Sequence, residues 1–444
     1  MGILDVPGIS RSQADNLYPL KSQVVAPGEI KRRRLSTTKV IASWKLYQSG
    51  HNFTPTGGGL DAAASNMNDT SDVIRGSQSL KLVTSNAGGN ATAEYSFGSS
   101  PVDLSGASAI RLYLKYSIAV AGQFVDLFMG KSNFGFYFNN NKIVAGGGGA
   151  EGTNFPWQAG RWEIVDIPLS EFGQTGTAPT WTDISRIAIT VGGPAGTPCT
   201  LRVASIEAIA KDPFNAGPVI IPTFDDTLLS QKTVCAPDLN SRGWPATLYP
   251  IIDQIQPVTQ GASNWDFPWM KSMYDTYGWE IGAHAYSAAA HGVSMSSMTV
   301  DQRIAELESI QSWQDANGFA ARTFAWPIGN HNRAAEDTVR EYYTAALTAT
   351  RLLNESVSPP RRFAIQRCNV GYESTASVQT AITNTVKDKG LLVLCIHDVT
   401  AGAPDTGGNS TSPAKWAAVL SAMQTAVAAG ARVTTFDNFI SNIR

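Results

Sequence analysis

Asp225 and Asp226 stand side by side in Thr223-Phe224-Asp225-Asp226, directly after the apolar run Val219-Ile220-Ile221-Pro222. A strand of that composition is a buried one, so two carboxylates leave it where it emerges. Adjacent anions repel each other and lose hydration on partial burial; the pair therefore requires a cation, a set of strong donors or a shared proton. A metal ion is the simplest of these answers. Side chains able to ligate or to move protons occur downstream. His284 and His291 follow the apolar segment Trp279-Glu280-Ile281-Gly282, and His397 closes Leu391-Leu392-Val393-Leu394-Cys395-Ile396. Metal-type or acid–base side chains are thus expected at the ends of separate strands.

The elements that must position them follow Lys211-Asp212-Pro213, where strands begin to alternate with helices. Thr299-Val300-Asp301-Gln302 has the form of a capping box, and Ile304, Leu307, Ile310 and Trp313 continue one helical face as far as Gly318. Ser412-Pro413 opens a helix running to Gly430, and Ala431 to Phe436 reads as a final strand. Repeated βα units predict a parallel sheet or barrel whose site lies at the carboxyl ends of the strands, where the aspartates, the histidines and the Trp326-Pro327 loop all fall.

Upstream, residues 41–212 form short alternating segments broken by Gly, Asn, Ser and Pro. Ile110, Leu112, Leu114 and Tyr116 alternate with Arg111, Tyr113 and Lys115; Trp162 and Ile164 flank Glu163; Ile187, Ile189 and Val191 repeat the period. Such segments predict an all-β sandwich. Residues 1–40 are polar, carry Pro7, Pro19 and Pro27 and end near the basic run Lys31-Arg32-Arg33-Arg34, which reads as an arm or linker. The division expected is therefore 1–40, 41–212 and 213–444.

At 444 residues the chain is long enough for several cores. With 16% charged residues, 40 glycines and a formal charge of -2, it offers no electrostatic case for nucleic acid or an anionic membrane. Four basic residues without interleaved aromatics do not change that. Cys199, Cys235, Cys368 and Cys395 show no paired spacing and are expected to be buried free thiols. The opening Met1 to Pro7 lacks the basic head and apolar stretch of a secretory signal, and no segment is apolar enough to span a bilayer.

Taken in order, the motifs of residues 213–444 resemble a NodB-type polysaccharide deacetylase, the domain of carbohydrate esterase family four, built as a distorted (β/α) barrel. Thr223 to Asp226 match that family's first motif. The resemblance makes Asp225 the catalytic base and Asp226 a metal ligand. The second motif places two histidines four apart; here Glu280-Ile281-Gly282-Ala283-His284 is followed by Ala288 at the second position, and the next histidine is His291. An insertion of three residues, with His291 as the displaced ligand, is the reading carried forward; a surface histidine is the alternative. The third motif appears as Phe324-Ala325-Trp326-Pro327-Ile328-Gly329. Ala325 replaces the arginine that orients the base in many members, and Arg367 resembles one found late in members lacking it. The resemblance gives the Ile328 N–H an oxyanion role and makes Trp326 and Pro327 walls of the substrate pocket. His397-Asp398 match the last motif, with His397 as general acid and Cys395 where a pocket leucine is usual. Zn²⁺ or another divalent transition metal is the implied cofactor, and an acetylated polysaccharide the implied substrate.

Residues 41–212 resemble jelly-roll carbohydrate-binding modules, with Tyr113, Tyr137 or Trp157 as candidates to stack on sugars. The first twenty or so residues resemble the attachment ends of bacteriophage tail spikes. Together these imply an acetylated capsule or O-antigen as substrate, delivery in a virion or outside the cell without a signal peptide, phage virion proteins as partners, and a homo-oligomer, a homotrimer by analogy. Other readings stay open: a glycan-binding adhesin with an idle barrel, a peptidoglycan- or chitin-type deacetylase not of phage origin, or a metal hydrolase of cyclic amides; for location, the alternative is the cytoplasm.

Overall fold

Period-two alternation builds the first half of the chain. The computed structural model describes residues 45–47 and 53–442 apart from 75, 118–123, 132–133, 135, 139–158, 176–179, 212–216, 256–264, 321, 350–354, 356–358 and 360. The expected arm, 1–40, and the expected boundary at 212–213 lie outside these. One antiparallel sheet runs in the order Asn66–Asp69, Ser79–Val83, Thr200–Ala210, Ala107–Tyr116, Trp162–Pro168, with Lys45–Tyr47 also on Thr200–Ala210. The other runs Gly173–Gln174, Phe136–Phe138, Phe124–Gly130, Arg186–Gly193, Gly89–Ser96, Thr54–Thr56. The two enclose one apolar core in which Leu112 and Leu114 meet Leu127 and Ile189.

The inward set, Ile110, Leu112, Leu114 and Tyr116, is buried as the alternation predicts. Its counterpart is not the solvated face that alternation implies. Arg111, Glu163, Asp166 and Glu207 are buried as well, and Arg111 forks onto Asp166 at 2.6 and 2.8 Å. The second half of the chain covers this face: Arg361 Nε lies 3.2 Å from Glu163 Oε2, and the Ser170 N–H donates to Asp388 at 3.2 Å. Charges remain there because they are paired. Tyr113 is half-buried in the same strand; Tyr137 and Trp157 fall outside the described side chains.

In the second half, parallel strands carry the site. They are β1 (Val219–Asp225), β2 (Thr247–Tyr249), β3 (Glu280–Ile281), β4 (Thr323–Ala325), β5 (Ala345–Leu347), β6 (Cys368–Asn369), β7 (Leu391–Ile396) and β8 (Arg432–Val433). β1 pairs with β7 on one side and with β2 and β8 on the other; β2 pairs with β3, β4 with β5 and β6 with β7. Bridges Ala283–Phe324 and Leu347–Ile365 continue the pairing from β3 to β4 and from β5 towards β6. Every residue of β1 and β7 is buried, which is why both read as unbroken apolar runs.

The capping box forms as expected on helix Val300–Ala316, but the buried stripe is Arg303, Leu307, Ile310 and Gln314, with Ile304 and Trp313 half-exposed. Polar residues take those places because they bond to backbone carbonyls: Arg303 to Met295 at 3.2 Å, Gln314 to Gly282 at 3.1 Å, just before His284. Helix Pro413–Ala428 is capped by Ser412. The strand expected over Ala431 to Phe436 shrinks to Arg432–Val433, and Phe436 begins a helix, Phe436–Asn442. Its N-terminus is captured by the sheet, Thr247 Oγ1 accepting from the Phe436 N–H at 3.0 Å and Glu280 Oε2 from the Asp437 N–H at 2.8 Å.

Burial pushes the Glu280 carboxyl up to about 7, against the donors Thr323, Asp437 N–H and Thr247. A raised folded-state value means that this group favours folding fully below its unfolded value of 4.5 and loses that contribution as pH rises through about 7. Glu280→Gln is therefore expected to flatten the pH dependence of stability by about 3 kcal/mol between those limits. Denaturant melts at pH 5 and pH 8 check this; equal slopes in variant and parent would contradict it.

Among the described residues no helix is long and apolar enough to cross a membrane. All four cysteines are free and buried.

Candidate active site

The turn after β1 separates the two aspartates. Asp226 and Thr227 both take left-handed backbone, with φ of 71° and 54°. That conformation is costly for a β-branched threonine, about 1–3 kcal/mol, and persists only where surroundings enforce it. Here Thr227 Oγ1 bonds to Gln254 at 3.2 Å, and the Gln231 amide donates to the carbonyls of Asp225 and His397, both at 2.6 Å. As a result Asp225 and Asp226 face different partners.

Asp226 faces histidines. Its Oδ1 lies 3.1 Å from His291 Nε2 and 3.5 Å from His284 Nε2. His284 Nδ1 lies 2.8 Å from the Ala325 carbonyl. That oxygen can only accept, so Nδ1 carries a proton and Nε2 is the nitrogen that faces Asp226. His291 ends the helical turn Ala288–His291, which Ser287 caps and whose first N–H Asp253 accepts at 3.1 Å. The added residues thus form a turn that swings His291 inward, while Ala288 is exposed. Ligand atoms of Asp226, His284 and His291 all lie within 4.8 Å of one another.

Asp226 Oδ1 is buried and meets no donor in hydrogen-bonding geometry despite two imidazole nitrogens so near. Burial works against its charge, yet His284, His291 and His397 hold the carboxyl well below the usual range. Two imidazoles and a carboxylate whose ligand atoms converge form a borderline set that fits Zn²⁺ or a similar divalent ion.

Asp225 faces a guanidinium. Arg367 Nη1 lies 2.9 and 2.8 Å from its two oxygens, and Arg367 Nε donates to the Thr348 carbonyl at 2.6 Å. Burial would lower the Arg367 pKa, but its partner Asp225 raises it above its ordinary value. Removing one partner of a buried pair strands the other. Arg367→Ala is therefore expected to cost about 3–5 kcal/mol of stability in denaturant melts, and a loss below 1 kcal/mol would contradict this account.

His397, at the end of β7, places Nε2 3.8 Å from Asp226 Oδ2. Cys395 Sγ lies 3.8 Å from Asp225 Oδ2 and 3.9 Å from His397 Nδ1. Its fully buried thiol sits between Asp225 and His397 and is not among the residues lining the cavity. Pro327 is likewise buried outside that lining. Ile328, with φ 59° and ψ 9°, and Trp326 do line it. The cavity, about 230 Å³, is bounded by Asp225, Asp226, His284, His291, Arg367 and His397.

Sequence reasoning missed Gln231, which ties the backbones of Asp225 and His397, and two residues that line the cavity, Tyr372 and Asn409. Tyr372 follows β6 and Asn409 follows β7, on loops packed backbone to backbone: a Cβ on Gly371 would meet the Gly408 carbonyl at 2.3 Å. The signal available was position, since both loops leave carboxyl ends of strands beside Gly371 and Gly407-Gly408.

Residues 214–346 match the sequence model of the family described as polysaccharide deacetylase. No curated protein matches the chain. Similar solved structures include the Xyl-CE4 domain of a multidomain xylanase from the hindgut metagenome of Trinervitermes trinervoides, at 17% identity over 51% of this chain and 90% of that one, TM-score 0.35. Another is a family 4 carbohydrate esterase from Streptomyces lividans in complex with acetate, at 17% identity over 48% and 90%, TM-score 0.33. A third is a family 4 acetyl xylan esterase from Clostridium thermocellum in complex with a cobalt ion, at 17% identity over 50% and 90%, TM-score 0.35. Residues 214–346 thus carry the likeness to polysaccharide deacetylases, which are hydrolases acting on acetyl groups.

Proposed function

We propose that this chain removes acetyl groups from an acetylated bacterial capsule or O-antigen, using a divalent ion, Zn²⁺ in the first instance. The observation that carries the reading is the convergence of Asp226, His284 and His291 beside a separate Asp225–Arg367 pair and His397. A divalent ion held by the first three residues supplies a Lewis acid that favours hydroxide near neutral pH and polarises the acetyl carbonyl. Asp225, held by Arg367, takes the proton of the attacking water. The Ile328 N–H, set by left-handed backbone, stabilises the negative oxygen of the tetrahedral intermediate. His397 gives a proton to the departing alkoxide or amine as the carbon–oxygen or carbon–nitrogen bond breaks, leaving acetate. Trp326 walls the pocket.

In this reading residues 213–444 form a distorted (β/α) barrel, which the succession of parallel pairings from β1 to β7 supports. Residues 41–212 are a jelly-roll carbohydrate-binding domain, which two antiparallel sheets over one core support. Residues 1–40 attach the protein to a phage virion, and the assembly is a homotrimeric tail spike acting outside the cell. The test is acetate release from acetylated capsule or O-antigen by the zinc-loaded full chain. Binding of those glycans with no acetate released would overturn the catalytic reading in favour of an adhesin.

A further inference from the structure

Trp326 is held from behind by a charged relay that crosses into the first half of the chain. Its ring stacks on His331 at 5.1 Å and 17°, and its Nε1–H donates to the Phe363 carbonyl at 2.9 Å. The His331 side chain is fully buried, with Nε2 3.2 Å from Glu336 Oε1. Two guanidinium groups approach the same carboxylate, Arg161 Nη2 at 3.4 Å and Arg361 Nη2 at 3.6 Å. Both also reach Glu163, on strand Trp162–Pro168, Arg361 Nε at 3.2 Å and Arg161 through its own Nε. Burial opposes the Glu336 charge, but His331 and the two arginines bring its carboxyl down to about 2.

We infer that Arg161 and Glu163 of the first-half sheet are positioning residues for the acetyl site, acting through Arg361, Glu336 and His331 to fix Trp326. This rests on the deacetylase reading for what the pocket does, but the relay itself does not. Arginines and carboxylates alternate along its middle and His331 joins it to the indole, so each member's place depends on its neighbours. Its far end is the loop that also bears Ile328, whose strained backbone needs outside support. Phe363, which anchors the indole edge, lies two residues beyond Arg361. The ring is therefore held at its face and its edge by groups tied to one cluster. A cluster serving only to glue two units would have no need to end on a cavity wall.

The experiment uses the zinc-loaded full chain with ¹⁵N-labelled tryptophan, the Trp326 indole N–H being assigned with Trp326→Phe. In Glu163→Gln and in Glu336→Gln that resonance is expected to shift and its solvent exchange to quicken roughly tenfold or more. Metal content is expected to stay at the parental level while kcat for acetate release falls about ten- to a hundredfold, the scale of a small misplacement in a catalytic pocket. The double variant is expected to fall no further than Glu336→Gln, because the two act along one chain. Should Glu163→Gln not fold, Arg161→Gln, at the more exposed rim of the cluster, carries the same expectation. An unchanged indole resonance in a folded Glu163 or Arg161 variant overturns the inference. An unchanged kcat in such a variant of an active parent does so too. If the parent releases no acetate, the deacetylase reading fails, and the indole resonance still decides the relay.

Discussion

Asp225→Asn is expected to stop acetate release while the metal stays bound. Asparagine keeps the shape of the side chain but has no anionic oxygen to take the proton of the attacking water. General-base assistance is typically worth about 10²–10⁴ in rate, and a fall in kcat of roughly a thousandfold is the expected size. Metal should survive because Asp225 faces Arg367 at 2.8 Å and leaves the histidines to Asp226. A secondary loss of stability follows, since Arg367 is buried and loses its counter-charge. Metal analysis, a melting curve and the acetate assay on one preparation separate these effects. Substantial remaining turnover would remove Asp225 from its role, and lost metal would place it in the ligand set.

Asp226→Ala is expected to do the opposite, emptying the ion site. Outer partners of metal ligands cost about 10–100-fold in affinity when mutated, so loss of a direct ligand should exceed that. His291→Ala should behave alike, because both imidazoles aim at the same Asp226 oxygen. Moving the histidine to the position it usually occupies, Ala288→His with His291→Ala, is not expected to restore binding, because Ala288 is exposed. Zinc titration by calorimetry reads all three. Parental affinity in His291→Ala, or rescue at 288, would show that the inserted turn is not what completes the site.

The proposed ligands Asp226 and His284 were legible because each closely follows a strand of largely apolar residues. β1 and β7 are buried on both faces and so have no polar alternation to blur them. β3, β4 and β6 are two or three residues long and leave no period; what betrayed them was the motif text around them. The final strand was expected to run one residue into the last helix, whose start at Phe436 is dictated by Glu280 and Thr247, far away in sequence. Arg111 and Glu163 looked like a solvent face because alternation along one strand says nothing of what packs on the other side. His331 gave no sign at all, since its meaning lies in a ring stacked against Trp326 and a carboxylate on the next helix. Tyr372 and Asn409 become neighbours only when two loops close over the cavity.

Gln231 deserves a last thought. One primary amide clasps the carbonyls of Asp225 and His397, so the gap between the tips of β1 and β7 is set by a single planar group with two hydrogens to give. Any substitution at Gln231 therefore releases both strand tips at once.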